Sequence, residues 1–306
     1  MNRRARFAHA FLPCGALALG VLAWVGAAHA APITFNTALP IAKDQFLFRE
    51  LAVFSRSTDD PDPAEREMDH WAAVSVLAYG VNADLALFGV IPYVENRLEL
   101  ASGGVRRTRS ARGIGDAEFF ARYTMFQKNW PGGNFRIAPF AGLKVPTGDD
   151  GETDRLGRLP PSVQAGSGSL DPFGGIVFTY QTLDFQIDGQ AAYRAKTEAN
   201  DFEFGDVARF DTSFQYRLWP RVLGSGVPGF LYGVLEASLV HQQKNEANGM
   251  KDRNSGGTQL FLTPGLQYVT RRWVVEGGVQ LPVVQDLNGT ALENDFTVLV
   301  SFRINF

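Results

Sequence analysis

The last twelve residues read DFTVLVSFRINF, with Phe296, Val298, Val300, Phe302, Ile304 and Phe306 on one parity and Asp295, Thr297, Ser301, Arg303 and Asn305 on the other. Only an extended strand puts alternate side chains on opposite faces, so this pattern specifies a strand with one apolar and one polar side. The alternation recurs in 183–194, where Leu183, Phe185, Ile187 and Tyr193 oppose Asp184, Gln186, Asp188, Gln190 and Arg194. It recurs in 208–218, where Arg209, Asp211 and Arg217 share the polar side. Strands are expected near 46–54, 71–79, 84–94, 116–126, 135–145, 172–180, 183–194, 207–218, 230–240, 258–269, 273–283 and 295–306, twelve in all.

Strands of this length suit a tilted membrane-crossing strand of roughly 9–11 residues better than a soluble strand of about 5–6. The connections alternate as well. Short ones fall at 80–83, 127–134, 181–182, 219–229 and 270–272; long polar ones fall at 55–70, 95–115, 146–170, 195–206, 241–257 and 284–294. Short turns at one end and long loops at the other, with tryptophans (Trp71, Trp130, Trp219, Trp273) at strand ends or in a turn, describe an outer-membrane barrel. The expected fold is therefore an all-β, antiparallel, up-and-down transmembrane barrel of about twelve strands. A spanning helix is excluded, because after residue 30 the longest apolar run, near 72–81, falls short of roughly 18 residues.

Arg3, Arg4 and Arg6, an apolar stretch over 11–26 and Ala28-His29-Ala30 form a secretory leader cleaved before Ala31. This divides the chain into a signal peptide, 1–30, and a barrel, 31–306. The single cysteine, Cys14, lies in the leader and stands wrongly for lipidation, so the mature chain has no disulfide, thiol nucleophile or cysteine zinc site. A net charge of −3 offers no basic excess for nucleic acid, and no cofactor is expected.

The terminal SFRINF, ending in Phe306, resembles the C-terminal signal that the barrel assembly machinery reads in Gram-negative outer-membrane proteins. More narrowly, Gly113-Ile114-Gly115-Asp116, Gly142-Leu143-Lys144-Val145-Pro146-Thr147-Gly148 and Gly168-Ser169-Leu170-Asp171-Pro172 resemble the family named for a MetA pathway of phenol degradation. The resemblance covers nearly the whole mature chain. It implies an outer-membrane transporter for small molecules, with outer-membrane lipids and lipopolysaccharide, the assembly machinery and a small solute as partners. The name implies no degradation chemistry.

On a barrel, the polar parity lines the lumen. That places Glu118, Arg122, Arg136, Lys144, Asp184, Asp188, Arg194, Arg209, Asp211, Arg217, Glu236, Glu276 and Arg303 inside, with Asp84, Asp116 and Asp295. Phe88, Phe120 and Phe140 share that parity and offer an aromatic path. Such charges need water or partners, and twelve strands leave a narrow, partly hydrated lumen. The reading is passive uptake of small, aromatic or hydrophobic molecules rather than catalysis. A closed barrel with a structural or adhesive role, or an outer-membrane lipase-type hydrolase using His70 or His241, are the alternatives the residues leave open.

Three finer expectations follow. Only about fifteen residues, 31–45, precede the first strand, too few for the plug domains of larger barrels, so no hatch is expected and gating falls to loop 146–170. Four carboxylates in 148–154 read as a solvated acidic loop rather than a calcium site. Pairing opposite charges across two neighbouring strands sets Asp188 against Arg217 and Arg194 against Asp211.

Overall fold

The computed structural model describes residues 30–222, 226 and 229–306. The leader, apart from Ala30, and Cys14 lie outside the described residues. Twelve strands form one closed antiparallel sheet: β1 (Phe46–Ser57), β2 (Glu67–Gly80), β3 (Leu85–Ser102), β4 (segments Val105–Ile114, Ala117–Tyr123 and Phe126–Trp130), β5 (Gly133–Val145), β6 (Asp171–Thr182), β7 (Phe185–Arg194), β8 (Val207–Trp219), β9 (Phe230–Gln242), β10 (Gly257–Val269), β11 (Trp273–Leu287) and β12 (Phe296–Asn305). Each pairs with its sequence neighbours, and β12 closes on β1 from Leu47↔Asn305 to Arg56↔Phe296. β4 breaks opposite Pro92 of β3 and Pro139 of β5, where proline has no N–H for the ladder.

The apolar parity faces outward. Leu87, Ile91, Phe119, Phe214, Leu235, Leu266, Val300 and Phe302 are all exposed, Leu266 to 56%. A continuous belt of this kind is stable only against lipid, since a soluble monomer rarely exposes so large an apolar patch. At the short-turn end an aromatic girdle rims the belt: Phe46 contacts Tyr79 at 4.9 Å and Phe306 at 5.8 Å, Trp130 contacts Tyr180 at 5.6 Å, and Tyr268 contacts Trp273 at 5.7 Å between ring centroids. Trp71 stands in the opposite half, 4.3 Å from Phe54. Phe306 also exchanges two backbone hydrogen bonds with Phe46, so the terminal residue completes the closing seam.

The long-loop end is more structured than the sequence suggests. Residues 95–115, expected as a charged loop, extend β3 and β4 beyond the barrel wall as a hairpin turning at Gly103 and Gly104. Both glycines have positive φ (61° and 76°), the geometry a two-residue hairpin turn demands. On its inner face Leu98 and Ala111 bury against Leu159 and Val163 of loop 146–170. That loop's acidic run is engaged: Asp149 accepts from Gly151 N–H at 2.9 Å, Asp150 from Asn200 Nδ2 at 2.5 Å, and Asp154 pairs with Arg109 at 2.8 Å. Other long loops also join, as Arg66 bridges Asp60 at 2.6 Å and the Thr290 carbonyl. Burial works to raise the Asp60 carboxyl, but hydrogen bonds from Arg66 outweigh it and hold it below the ordinary carboxylate range.

The expectation that no N-terminal hatch occupies the pore is overturned. Residues 30–39 do not hang below the barrel; they run inside it, and Ala30, Ala31, Ile33, Phe35, Ala38 and Leu39 are buried, while 42–44 are exposed and Asp44 N–H joins the Gly80 carbonyl at the short-turn end. The segment packs in turn on Val269 and Val274, then Val234 and Leu299, then Ala138 and Val177, and finally Ala78, Ala86 and Phe88. A plug domain needs a core of its own, whereas an extended segment borrows its packing and hydrogen bonds from the wall, so a short stretch suffices.

Candidate functional site

The segment's backbone is matched by opposite charges from opposite arcs of the wall. On β9, the Glu236 carboxylate accepts from Ile33 N–H at 2.6 Å, Thr34 N–H at 3.0 Å and Thr34 Oγ1 at 2.5 Å. On β10, Gln267 accepts from Ala31 N–H at 3.3 Å and donates to its carbonyl at 2.9 Å. On β6 and β7, Thr179 Oγ1 accepts from Ala38 N–H at 2.9 Å and donates to Asp188, which also accepts from Thr37 Oγ1 at 3.1 Å. The carbonyls turn the other way. Arg49 of β1 donates to Ile33 O at 2.7 Å, and Arg122 of β4 donates to Thr37 O, to Leu39 O at 2.5 Å and to Asn36 Oδ1 at 2.6 Å. Acids on β7 and β9 thus face arginines on β1 and β4, and the N–H and C=O dipoles of the segment lie between them.

The inward parity places the expected lumen residues as follows. Arg122, Lys144, Asp188, Asp211, Arg217, Glu236, Glu276 and Arg303 are buried inside, with Glu118, Arg136, Arg194 and Arg209 half-buried. Asp84 and Asp184 do not line the wall; both sit exposed in short turns. Asp295 belongs to a long loop and accepts from Thr58 Oγ1 at 2.7 Å. The charges pair: Glu118 with Arg194 at 2.6 Å, Arg209 with Asp211 at 2.7 Å, Arg49 with Glu276 at 2.8 Å and Arg217 with Asp184 at 2.5 Å. Arg136 donates to Asn134 Oδ1 at 2.5 Å.

These pairs correct the expected register of β7 and β8. Asp188 opposes Ser213, not Arg217, and Arg194 opposes Val207, not Asp211. Long side chains do not need the directly opposite position: Arg194 reaches β4, Arg209 reaches along its own strand, and Arg217 reaches the turn below it.

Phe88, Phe120 and Phe140 do meet. Phe88 stacks on Phe120 at 4.3 Å, with Phe140 edge-on to Phe120 at 6.2 Å. Phe173 joins them at 5.9 Å; it shares the inward parity of β6 and is the aromatic that sequence reasoning missed. Arg49, Thr179 and Gln267 were missed too, because their importance lies in the segment they hold. Between that segment and the wall of β1–β4 and β12 lies a cavity of about 410 Å³, lined by Ile33, Phe35, Leu39, Leu51, Val76, Phe88, Val90 and Phe120 with a few polar groups.

The three glycine-bearing motifs converge on one node at the long-loop end. Asp116 accepts from Gly148 N–H at 3.1 Å, Ser167 N–H at 2.9 Å and Lys144 Nζ at 2.9 Å. Lys144 also pairs with Asp171 at 3.1 Å and donates to Ser169, while Thr147 Oγ1 donates to Gly115 O at 3.0 Å. A Cβ on Gly148 would come within 2.7 Å of Gly166 Cα, so the two ends of the loop close only with glycine there. The node anchors loop 146–170. Val163→Cys, buried in the intact chain, is therefore expected to react with maleimide at least tenfold faster when Asp116→Ala is added, and equal rates would contradict the anchoring.

A closed barrel with a lipid-facing apolar belt, an aromatic girdle and a polar interior defines the class of outer-membrane β-barrels. The family described as "Putative MetA-pathway of phenol degradation" matches residues 67–282, and the chain belongs to it. An outer membrane channel from Pseudomonas putida F1 shares 11% identity over 91% of this chain and 100% of its own, with a TM-score of 0.67. The NanC porin (10% identity, 84% and 98% coverage, TM-score 0.46) and the β domain of the Bordetella autotransporter BrkA (9%, 86% and 100%, 0.45) are more distant. No curated protein matches the sequence.

Proposed function

We propose that the chain is a passive channel of the Gram-negative outer membrane for small molecules with an aromatic or otherwise apolar body. The observation that carries this reading is the apolar cavity of about 410 Å³ beside a segment that fills the lumen without being part of its wall. A lumen meant only to hold a barrel together has no use for such a cavity, whereas its volume and its mix of rings with a few polar groups suit a small ligand. The structural neighbour in Pseudomonas putida F1, described as an outer membrane channel, supports the same reading.

The short turns and both chain ends then lie in the periplasm and the long loops outside. Membrane lipid covers the apolar belt, lipopolysaccharide surrounds the charged outer rim, and Phe306 serves the assembly machinery. The reading is not enzymatic: His70 and His241 bond through Nδ1 to Asn96 and Thr258, and among the described residues no hydrogen bond joins either histidine to a serine. Val90→Trp fills the cavity from the wall. In proteoliposomes it is expected to slow entry of phenol and toluene at least tenfold, and unchanged entry would contradict the proposed path.

A further inference from the structure

We propose that the cavity selects organic carboxylates with an apolar ring, and that the bound carboxylate competes with the N-terminal segment for Arg122. This inference rests on the channel reading above and names its solute class. Three guanidinium groups, those of Arg49, Arg122 and Arg303, line the cavity, and no carboxylate does. Arg49 has its charge matched by Glu276 at 2.8 Å. Arg122 is different. Only 4% exposed, it forms no salt bridge among the described residues, and its hydrogen bonds to Asn36, Thr37 and Leu39 all end on neutral oxygens.

A buried cation whose hydrogen bonds all end on neutral oxygens gains most from an anion, because guanidinium and carboxylate form paired, charge-assisted hydrogen bonds about twice as strong as neutral ones. The apolar half of the ligand is also specified. Phe88 stacks on Phe120 at 4.3 Å, and the Arg122 guanidinium lies 5.0 Å from the Phe88 ring centroid. One ligand therefore touches an aromatic wall and a cation together, which neither a hydrocarbon nor a sugar acid exploits in full.

The consequence for the segment follows from which oxygens Arg122 holds. Thr37 O and Leu39 O belong to the segment's middle, whereas Ile33 and Thr34 are held by Glu236 on another strand. A carboxylate that takes Arg122 frees the carbonyls of Thr37 and Leu39, while Thr179 and Asp188 still hold Thr37 and Ala38 from the other side and Glu236 keeps 33–34 docked, so occupancy loosens the constriction on the side where the ligand sits.

Titration calorimetry on the detergent-solubilised full chain tests this with 4-propylbenzoate against its neutral isostere 4-propylbenzamide. The benzoate is expected to bind at least tenfold more tightly, Arg122→Met to abolish that preference, and Arg122→Lys to keep part of it. A nitroxide on Ala38→Cys should gain mobility with the benzoate and not with the amide. Where Arg122→Met fails to fold, as judged by heat-modifiable migration, the acid-to-amide ratio in the unaltered chain and the nitroxide response still decide. Equal binding of acid and amide, a preference that survives in folded Arg122→Met, or a nitroxide indifferent to benzoate overturns the inference. Phenol and toluene entry without acid preference would leave the channel reading standing and this one fallen; acid-selective binding without solute entry would do the reverse.

Discussion

Removal of residues 33–39 in frame is expected to raise single-channel conductance several-fold in a barrel that still folds. The segment contributes no rung to the twelve-stranded ladder, which closes on itself through β1 and β12. What is lost is packing of Ile33 on Val234 and Leu299 and of Ala38 on Ala138 and Val177. At roughly 25 cal/mol per Å² of apolar surface, two such contacts are worth a few kcal/mol, small against a closed sheet. Glu236 and Arg122 lose their backbone partners, Asp188 loses the Thr37 hydroxyl, and all three are solvated by the water that enters. Planar-bilayer recordings give the answer; conductance equal to that of the intact chain would mean that the segment does not set the limit.

The second large effect is expected at Glu236. Its carboxylate accepts three hydrogen bonds from Ile33 and Thr34. With a charged acceptor each is worth about 1.5–3 kcal/mol, and loss of the acceptor strands two amide groups in a buried site. Glu236→Ala should therefore weaken docking by about 3 kcal/mol and speed amide exchange at Ile33 and Thr34 on the order of 100-fold. Glu236→Gln, which keeps one oxygen acceptor, should change exchange by only about tenfold. Hydrogen exchange read residue by residue in micelles measures both, and unaltered exchange in Glu236→Ala would remove Glu236 as the anchor.

The wall was readable because a barrel turns sequence parity directly into inside and outside. In β8 the alternation of Ala208, Phe210, Phe214 and Tyr216 with Arg209, Asp211, Ser213 and Gln215 is strict, and from Phe210 to Leu218 the exposed and buried positions follow it. The segment was not readable, since its partners are divided among β1, β4, β6, β7, β9 and β10 and no local pattern gathers them. One clue was present. The inward parities of β1 and β2 carry Leu47, Leu51, Val53, Val74 and Val76, residues that a water-filled lumen would not favour and that imply apolar material inside.

Other features failed for their own reasons. The register of β7 and β8 eluded charge pairing because Arg194 answers to Glu118, four strands away counting both ends, rather than to its neighbour. The β3–β4 extension was hidden by its arginines, although Gly103-Gly104 carried the turn signal. The three glycine motifs were visible one by one, but that Asp116, Lys144 and Asp171 meet at a single node is a property of strand order, which sequence distance conceals.

The central claim, that the N-terminal segment occupies the lumen and limits passage, is tested most directly by a pair of cysteines within residues 31–306, which otherwise have none. Thr37 Oγ1 and Thr179 Oγ1 stand 3.0 Å apart, so Thr37→Cys with Thr179→Cys brings two sulfur atoms within bonding reach. In the Glu236→Ala background, the disulfide is predicted to form and hold conductance at the level of the intact chain, and reduction is predicted to raise it several-fold. Two freely reactive thiols, or a conductance that ignores reduction, would contradict the account.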